Sequence, residues 1–298
     1  MKLEVKGLRK SFGETEVLHS ISFTVESGKA LGLLGRNGAG KTTTIRIIMN
    51  VFKANQGEIL LDGKPFQPGS ASLGYLPEER GLYPKKKVGE QILYLAELRG
   101  LKPALAKKNM QYWLDRMGVR EYENRKLETL SKGNQQKVQL AQTLVCDPQI
   151  IILDEPFSGL DPVNSQILKE VIAEQIEKGK LVIFSSHQMN YVEEFCEDIV
   201  IIHHGNIVLN GNLREIKKEF GKDRLILSLV GRNAGETLEL VRREFGELAE
   251  AAGTQREKVI LKLKEGSTKQ MLLRKLAQTD HTLETLLYCP LTLKQIFQ

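Results

Sequence analysis

Cysteine is scarce: Cys146, Cys196 and Cys289 lie far apart in the chain and show no metal-ligand spacing. They offer no cysteine-built metal site and read as buried, reduced thiols. No apolar run approaches the roughly 18 residues of a membrane span. The start, Met1-Lys2-Leu3-Glu4-Val5-Lys6, has no signal-peptide core, so the expectation is a protein that stays in the cytoplasm. Internal repeats, low-complexity tracts and long heptad patterns are also missing, which excludes repeat arrays and extended coiled coils. What remains is ordinary globular composition, 41% hydrophobic and 27% charged over 298 residues, enough for one large domain and a small one. A net charge of +6 implies mild attraction to an anionic surface such as nucleic acid or the inner membrane face. The Lys85-Lys86-Lys87 run and the basic cluster from Lys217 to Arg224 read as solvated faces.

The strongest signal is Gly35-Arg36-Asn37-Gly38-Ala39-Gly40-Lys41-Thr42. The apolar run Ala30-Leu31-Gly32-Leu33-Leu34 before it suits a buried parallel strand, and Thr43 to Met49 after it suits a helix. Strand, glycine loop and helix in that order let backbone N–H groups close around phosphates, with the helix N-terminus adding positive potential. The pattern points to ATP, with Lys41 reaching the β- and γ-phosphates and the Thr42 hydroxyl binding Mg²⁺.

Around this loop, residues 1–28 read as short strands, Leu3-Glu4-Val5, Val17-Leu18 and Ile21 to Val25, joined by 58–62 in an antiparallel layer. From about 85 to 147 the pattern turns helical, with Val88, Ile92, Leu95 and Leu98 on one face and Leu105, Met110, Trp113, Leu114 and Met117 on a second. Apolar runs at 150–153, 181–184 and 199–202 then alternate with helices at 163–178 and 188–197, as in βαβ units with a mostly parallel sheet. His203 and His204 precede Gly205-Asn206 in a hairpin and receive no catalytic role. After about residue 220 a separate series begins: strand 224–230, helix 236–246, strand 258–264, helix 267–278 and strand 282–288. The expected division is a nucleotide-binding domain over 1–220 and a small α+β domain over 221–298.

The strand Ile150-Ile151-Ile152-Leu153 delivers two adjacent acids, Asp154 and Glu155, at its carboxyl end. Ligands sit at such ends in open α/β sheets. Asp154 fits a role on Mg²⁺, and Glu155 fits the base that orients water toward the γ-phosphate.

With these motifs in order, the chain from about 1 to 220 resembles the nucleotide-binding subunits of ATP-binding cassette proteins. Leu130-Ser131-Lys132-Gly133-Asn134-Gln135-Gln136 is similar to the family's LSGGQ signature, at the start of a helix running to about Cys146. The resemblance implies a P-loop ATPase core with an antiparallel layer and a helical subdomain. It also implies that Ser131, Gly133 and Asn134 face ATP held by a second subunit. On its own residues the segment is equally a capped helix, with Ser131 as N-cap. Ser158-Gly159-Leu160-Asp161 resembles the D-loop, His187 stands where the family keeps its switch histidine, and Phe12 where an aromatic stacks on adenine.

Departures are present. Glu78 stands in for the Q-loop glutamine in Tyr75-Leu76-Pro77-Glu78-Glu79-Arg80; a carboxylate only accepts hydrogen bonds and can ligate Mg²⁺, yet repels the γ-phosphate. Lys132 replaces a signature glycine, Asn134 its glutamine, and Arg36 a common loop proline. The stretch Gly74 to Pro84 and the closing Leu291-Thr292-Leu293-Lys294-Gln295-Ile296-Phe297 resemble exporter subunits of the drug, sodium or antibiotic efflux type. The resemblance implies an ATPase dimer of two identical chains on the cytoplasmic face of the membrane, driving separate polytopic permease subunits, with no nucleic-acid partner. The rival readings are a soluble cassette ATPase acting on ribosomes or DNA, and a nucleotide-sensing module that does not hydrolyse. Two cassettes in one chain or a long coiled coil, features of the first rival's relatives, are not present in this sequence.

Overall fold

The computed structural model describes residues 1–67, 71–79, 81–289 and 291–296; Arg80 and Phe297 of the motifs above lie outside them. The chain divides into two compact units, Met1–Asn212 and Leu213–Gln298.

The first unit opens with strands β1 (Lys2–Phe12), β2 (Thr15–Glu26) and β3 (Ala30–Leu34), helix α1 (Lys41–Ile48), then β4 (Gln56–Leu61), β5 (Lys64–Pro65) and β6 (Leu73–Leu76). Helices α2 (Val88–Leu98), α3 (Pro103–Arg116) and α4 (Lys132–Leu144) follow. The unit closes with β7 (Ile150–Asp154), α5 (Pro162–Glu177), β8 (Leu181–Ser186), α6 (Met189–Phe195), β9 (Asp198–His203) and β10 (Asn206–Asn212). Four strands form an antiparallel sheet in the order β2-β1-β4-β5; six form a second sheet, β10-β9-β3-β8-β7-β6. In the second sheet β9, β3, β8, β7 and β6 run parallel, and β10 returns antiparallel to β9. Central strands covered on both faces need apolar side chains throughout, and β3, β7 and β8 are buried along their whole length. One core joins the sheets: Leu3, Val5, Ile21 and Phe23 meet Leu31, Leu33, Ile152 and Ile183, with Ile45 and Ile48 of α1 among them.

Strands β1 and β2 are far longer than the short apolar runs suggest. Gly7 at φ 59° and Ser20 at φ 63° bend them, and the pairing shifts between Val5 and Leu8. A bulge inserts a residue and breaks the alternation of side chains, so one long strand reads as two short ones.

The second unit runs α7 (Leu213–Gly221), β11 (Arg224–Leu229), α8 (Ala234–Glu244), β12 (Ala249–Gln255), β13 (Lys258–Leu263), α9 (Lys269–Leu276), β14 (Leu283–Tyr288) and α10 (Leu293–Ile296). Its sheet has the order β12-β13-β11-β14 with every neighbour antiparallel. This is the split βαββαβ arrangement of ferredoxin-like folds. Leu225, Leu227, Val259 and Leu261 pack against Leu240, Val241 and Phe245 of α8 and Leu272 and Leu276 of α9. The division at 212/213 precedes the expected boundary at 220 because α7 belongs to this unit: Gly221 at its end lies against Cys289 and Leu291.

Candidate nucleotide site

Strand β3 ends at Leu34, and the chain turns through Gly35 (φ 155°), Gly38 (φ 79°) and Gly40 (φ 114°) before α1 begins at Lys41. A Cβ at Gly40 would come within 2.6 Å of Leu18 Cδ2, and one at Gly35 would strike the Ile202 carbonyl oxygen. Both positions therefore need glycine for space as well as for conformation. Ala39 is buried beneath the loop, where its carbonyl accepts the Gly205 N–H at 3.0 Å. Lys41 is buried, and its Nζ donates to the carbonyls of Gly35 at 2.6 Å and Arg36 at 3.4 Å.

A cavity of about 460 Å³ opens above this loop. Its walls bring together Phe12, Arg36, Asn37, Gly38, Gly40, Lys41, Thr42, Thr43, Glu78, Asp154 and Glu155, residues spread over four separate stretches of sequence. Val17, read from the sequence only as part of a strand, also lines it; its position on β2 facing the loop is set by the fold alone. Phe12 is 49% exposed and meets Phe52 edge-on at 5.3 Å, so it is a surface ring and not a core one.

Asp154 and Glu155 are buried at the carboxyl end of β7. Burial pushes the Asp154 carboxyl up from the usual range, and the charges of Glu78 and Glu155 add to the shift while Lys41 opposes it. Tyr75, whose hydroxyl lies 3.5 Å from Asp154 Oδ2, is pushed up to about 12, mainly by burial and then by that carboxylate.

Glu155 has φ 49°, a left-handed backbone uncommon for a non-glycine residue. Its side chain is fixed by three contacts. Oε1 accepts the His187 backbone N–H at 2.7 Å and lies 2.7 Å from His187 Nδ1; Oε2 accepts the Ser186 hydroxyl at 3.1 Å. Ser186 was not singled out in the sequence; its place between the apolar part of β8 and His187 is the only signal for it. Phe157, just beyond, stacks on Tyr191 with ring centroids 4.2 Å apart, tying the turn after Glu155 to α6.

Ser131, Gly133, Asn134 and Asp161 lie outside the lining of this cavity. Ser131 caps α4, its Oγ accepting the Asn134 N–H at 3.3 Å. Asp161 caps α5 by accepting the Asn164 N–H at 2.9 Å, and bonds from Asn164 hold its carboxyl below the usual range. Gly133 faces the Asn164 side chain so closely that a Cβ there would overlap it. Gln136 Nε2 donates to Pro156 O at 3.1 Å, joining the start of α4 to the turn that carries Glu155.

Residues 18–158 match the family described as ABC transporter. The ABC transporter ATP-binding protein YhaQ of Bacillus subtilis is 45% identical over 226 residues, 76% of each chain. The chain belongs to the ABC transporter family. It is an ATP-binding subunit of such a transporter, an ATPase of the kind that powers transport. Another ABC relative, the linearmycin resistance ATP-binding protein LnrL of Bacillus subtilis, is 32% identical over 228 residues, 75% of this chain and 73% of its own. A solved ATP-binding subunit of an ABC transporter superposes with a TM-score of 0.68 at 32% identity, covering 74% of this chain and 94% of that one. The ABC ATPase core expected from the motifs is thus the fold observed.

Proposed function

We propose that this subunit binds Mg-ATP in the cavity over the glycine loop and hydrolyses it with Glu155 as base, driving export through separate membrane permease subunits. The observation that carries the reading is the convergence of the loop, Phe12 and three carboxylates on one cavity. Phe12 offers an exposed ring for adenine. The N–H groups around Gly38 and Gly40, with Lys41, would hold the phosphates. Thr42, Asp154 and Glu78 form a set of hard oxygen donors that fits Mg²⁺, and none of the described residues pairs Asp154 with a cation. When bound, the metal supplies charge neutralisation on the β- and γ-phosphates.

Glu155 takes the proton of the attacking water, and His187 and Ser186 aim its two oxygens. Ser131, Gly133, Asn134 and Asp161 would complete the ATP site of a second, identical subunit, which explains their place outside the cavity of their own chain. ATP then stabilises a closed dimer, and the free-energy difference between open and closed forms moves the permease. Among the described residues no helix is long and apolar enough to cross a membrane, so the subunit would sit peripherally on the cytoplasmic face. The export direction rests on relatives such as the Nod factor export ATP-binding protein I of Ralstonia nicotianae and the lipopolysaccharide export system ATP-binding protein LptB of Haemophilus influenzae. The second unit is read as the small C-terminal extension of that exporter group.

The test is affinity purification of Glu155→Gln protein from detergent-solubilised membranes of its host in Mg-ATP. Recovery of a polytopic membrane protein supports the reading; recovery of ribosomal or DNA-associated proteins alone overturns it.

A further inference from the structure

The sheet of the second unit ends at β14, an edge with few of the usual defences against pairing. Its residues, Leu-Glu-Thr-Leu-Leu-Tyr, include no proline, lysine or glycine, and Leu287 and Tyr288 are 59% and 55% exposed. The opposite edge, β12, is rich in alanine and broken by a register shift between Ala251 and Gly253. On β14 the only irregularity lies at its start, where Glu284 is the extra residue between Leu283 and Thr285.

Cys289 N–H donates to Arg224 O at 2.9 Å. Alternation along an antiparallel ladder then turns the backbone groups of Leu287 and Thr285 toward β11, and those of Leu286 and Tyr288 outward. Among the described residues none bonds to these outward groups. Lys269 at the start of α9 holds its Nζ 5.1 Å from the centre of the Tyr288 ring.

We propose that β14 pairs antiparallel with β14 of a second copy of this chain, with the two-fold axis at Leu286, so that two four-stranded sheets become one continuous sheet. In that register the outward groups of Leu286 meet their own symmetry mates, and Glu284 of each strand stands opposite Tyr288 of the other. The Glu284 carboxylate thereby arrives beside the partner's Lys269, and the two-fold repeats the attraction. A parallel pairing in register would instead set Glu284 against Glu284, so charge selects the antiparallel form. Exposed Leu287 gains a neighbour in Thr285 of the other strand.

This contact needs no nucleotide, which separates it from dimerisation through the ATP site. The experiment is sedimentation of the full chain without nucleotide over a range of concentrations. The native chain should dimerise, and Glu284→Lys, which sets two lysines together, should raise the dissociation constant about tenfold. The charge-swapped Glu284→Lys/Lys269→Glu chain should recover the native value. A Thr285→Cys/Leu287→Cys chain should form a reducible cross-linked dimer under mild oxidation, because these positions face each other across the axis. A native chain that stays monomeric, or a dimer that ignores the charge reversal and does not cross-link, overturns the proposal. The ATP-dependent closure of Glu155→Gln protein is expected under either result.

Discussion

At Glu155 three polar contacts converge on one carboxylate, and each makes it more ordered. Ser186→Ala removes the donor to Oε2 without touching the cavity wall, so the carboxylate loses its aim while ATP binding persists. Steady-state assays should show kcat lower by about tenfold, the scale of one bond to a charged group, with KM for ATP unchanged. An equal rise in KM would place Ser186 in nucleotide binding instead. Asp154 carries a different conflict. Its carboxyl titrates higher in the fold than in the unfolded chain, so the fold binds more protons across that window and stability falls as pH rises through it. Asp154→Asn should therefore melt higher than the native chain at pH 7 without nucleotide, by roughly 2–4 °C for each kcal/mol gained, while losing Mg²⁺-dependent hydrolysis. A lower melting point would mean that the amide leaves a worse unpaired group than the acid did. At this scale the glycines, Lys41 and the acid pair were legible because phosphate chemistry allows few residue types at fixed spacing. Val17 and Ser186 were not, because a valine or a serine near a strand end has many ordinary uses.

Among the elements, legibility followed how cleanly side chains alternate. Strands β7 and β8 were plain as unbroken apolar runs, whereas β12, Ala-Glu-Ala-Ala-Gly-Thr-Gln, went unread. Its small residues have little preference for strand, and its pairing with β13, not its composition, makes it one. Likewise β6 is only four residues long and draws its order from β7 beside it. The glycine loop is the reverse case, an element whose sequence leaves almost no choice. Gly40→Ala meets both a φ of 114° and the Leu18 side chain, so relief requires the loop to move. Titration with a fluorescent ATP analogue should show binding weakened at least about tenfold in a chain that retains native circular dichroism. Undiminished affinity would mean that the loop adapts and that its geometry is not what holds the phosphates.

On the scale of the whole molecule, the hydrophobic core around Leu33 and Ile152 and the one around Leu227 and Phe245 are built from separate stretches of chain. Calorimetry should resolve two unfolding events, with Mg-ATP raising only the one that belongs to Met1–Asn212. Phe245→Ala empties a fully buried site and should lower the other event by about 3–5 kcal/mol. A single transition that moves as one body under both changes would show that the units unfold together. The boundary itself was read a helix too late, since the charged, amphipathic α7 carries no mark of which core it serves. With Glu155 as the proposed base, one strained residue, finally, sets heat resistance against work. The backbone at Glu155 suits glycine, and a glutamate there costs about 1 kcal/mol or more. A random library sorted only for survival on heating should thus enrich Glu155→Gly and fall silent as a motor, while a library sorted for ATP turnover should hold the glutamate against that pull.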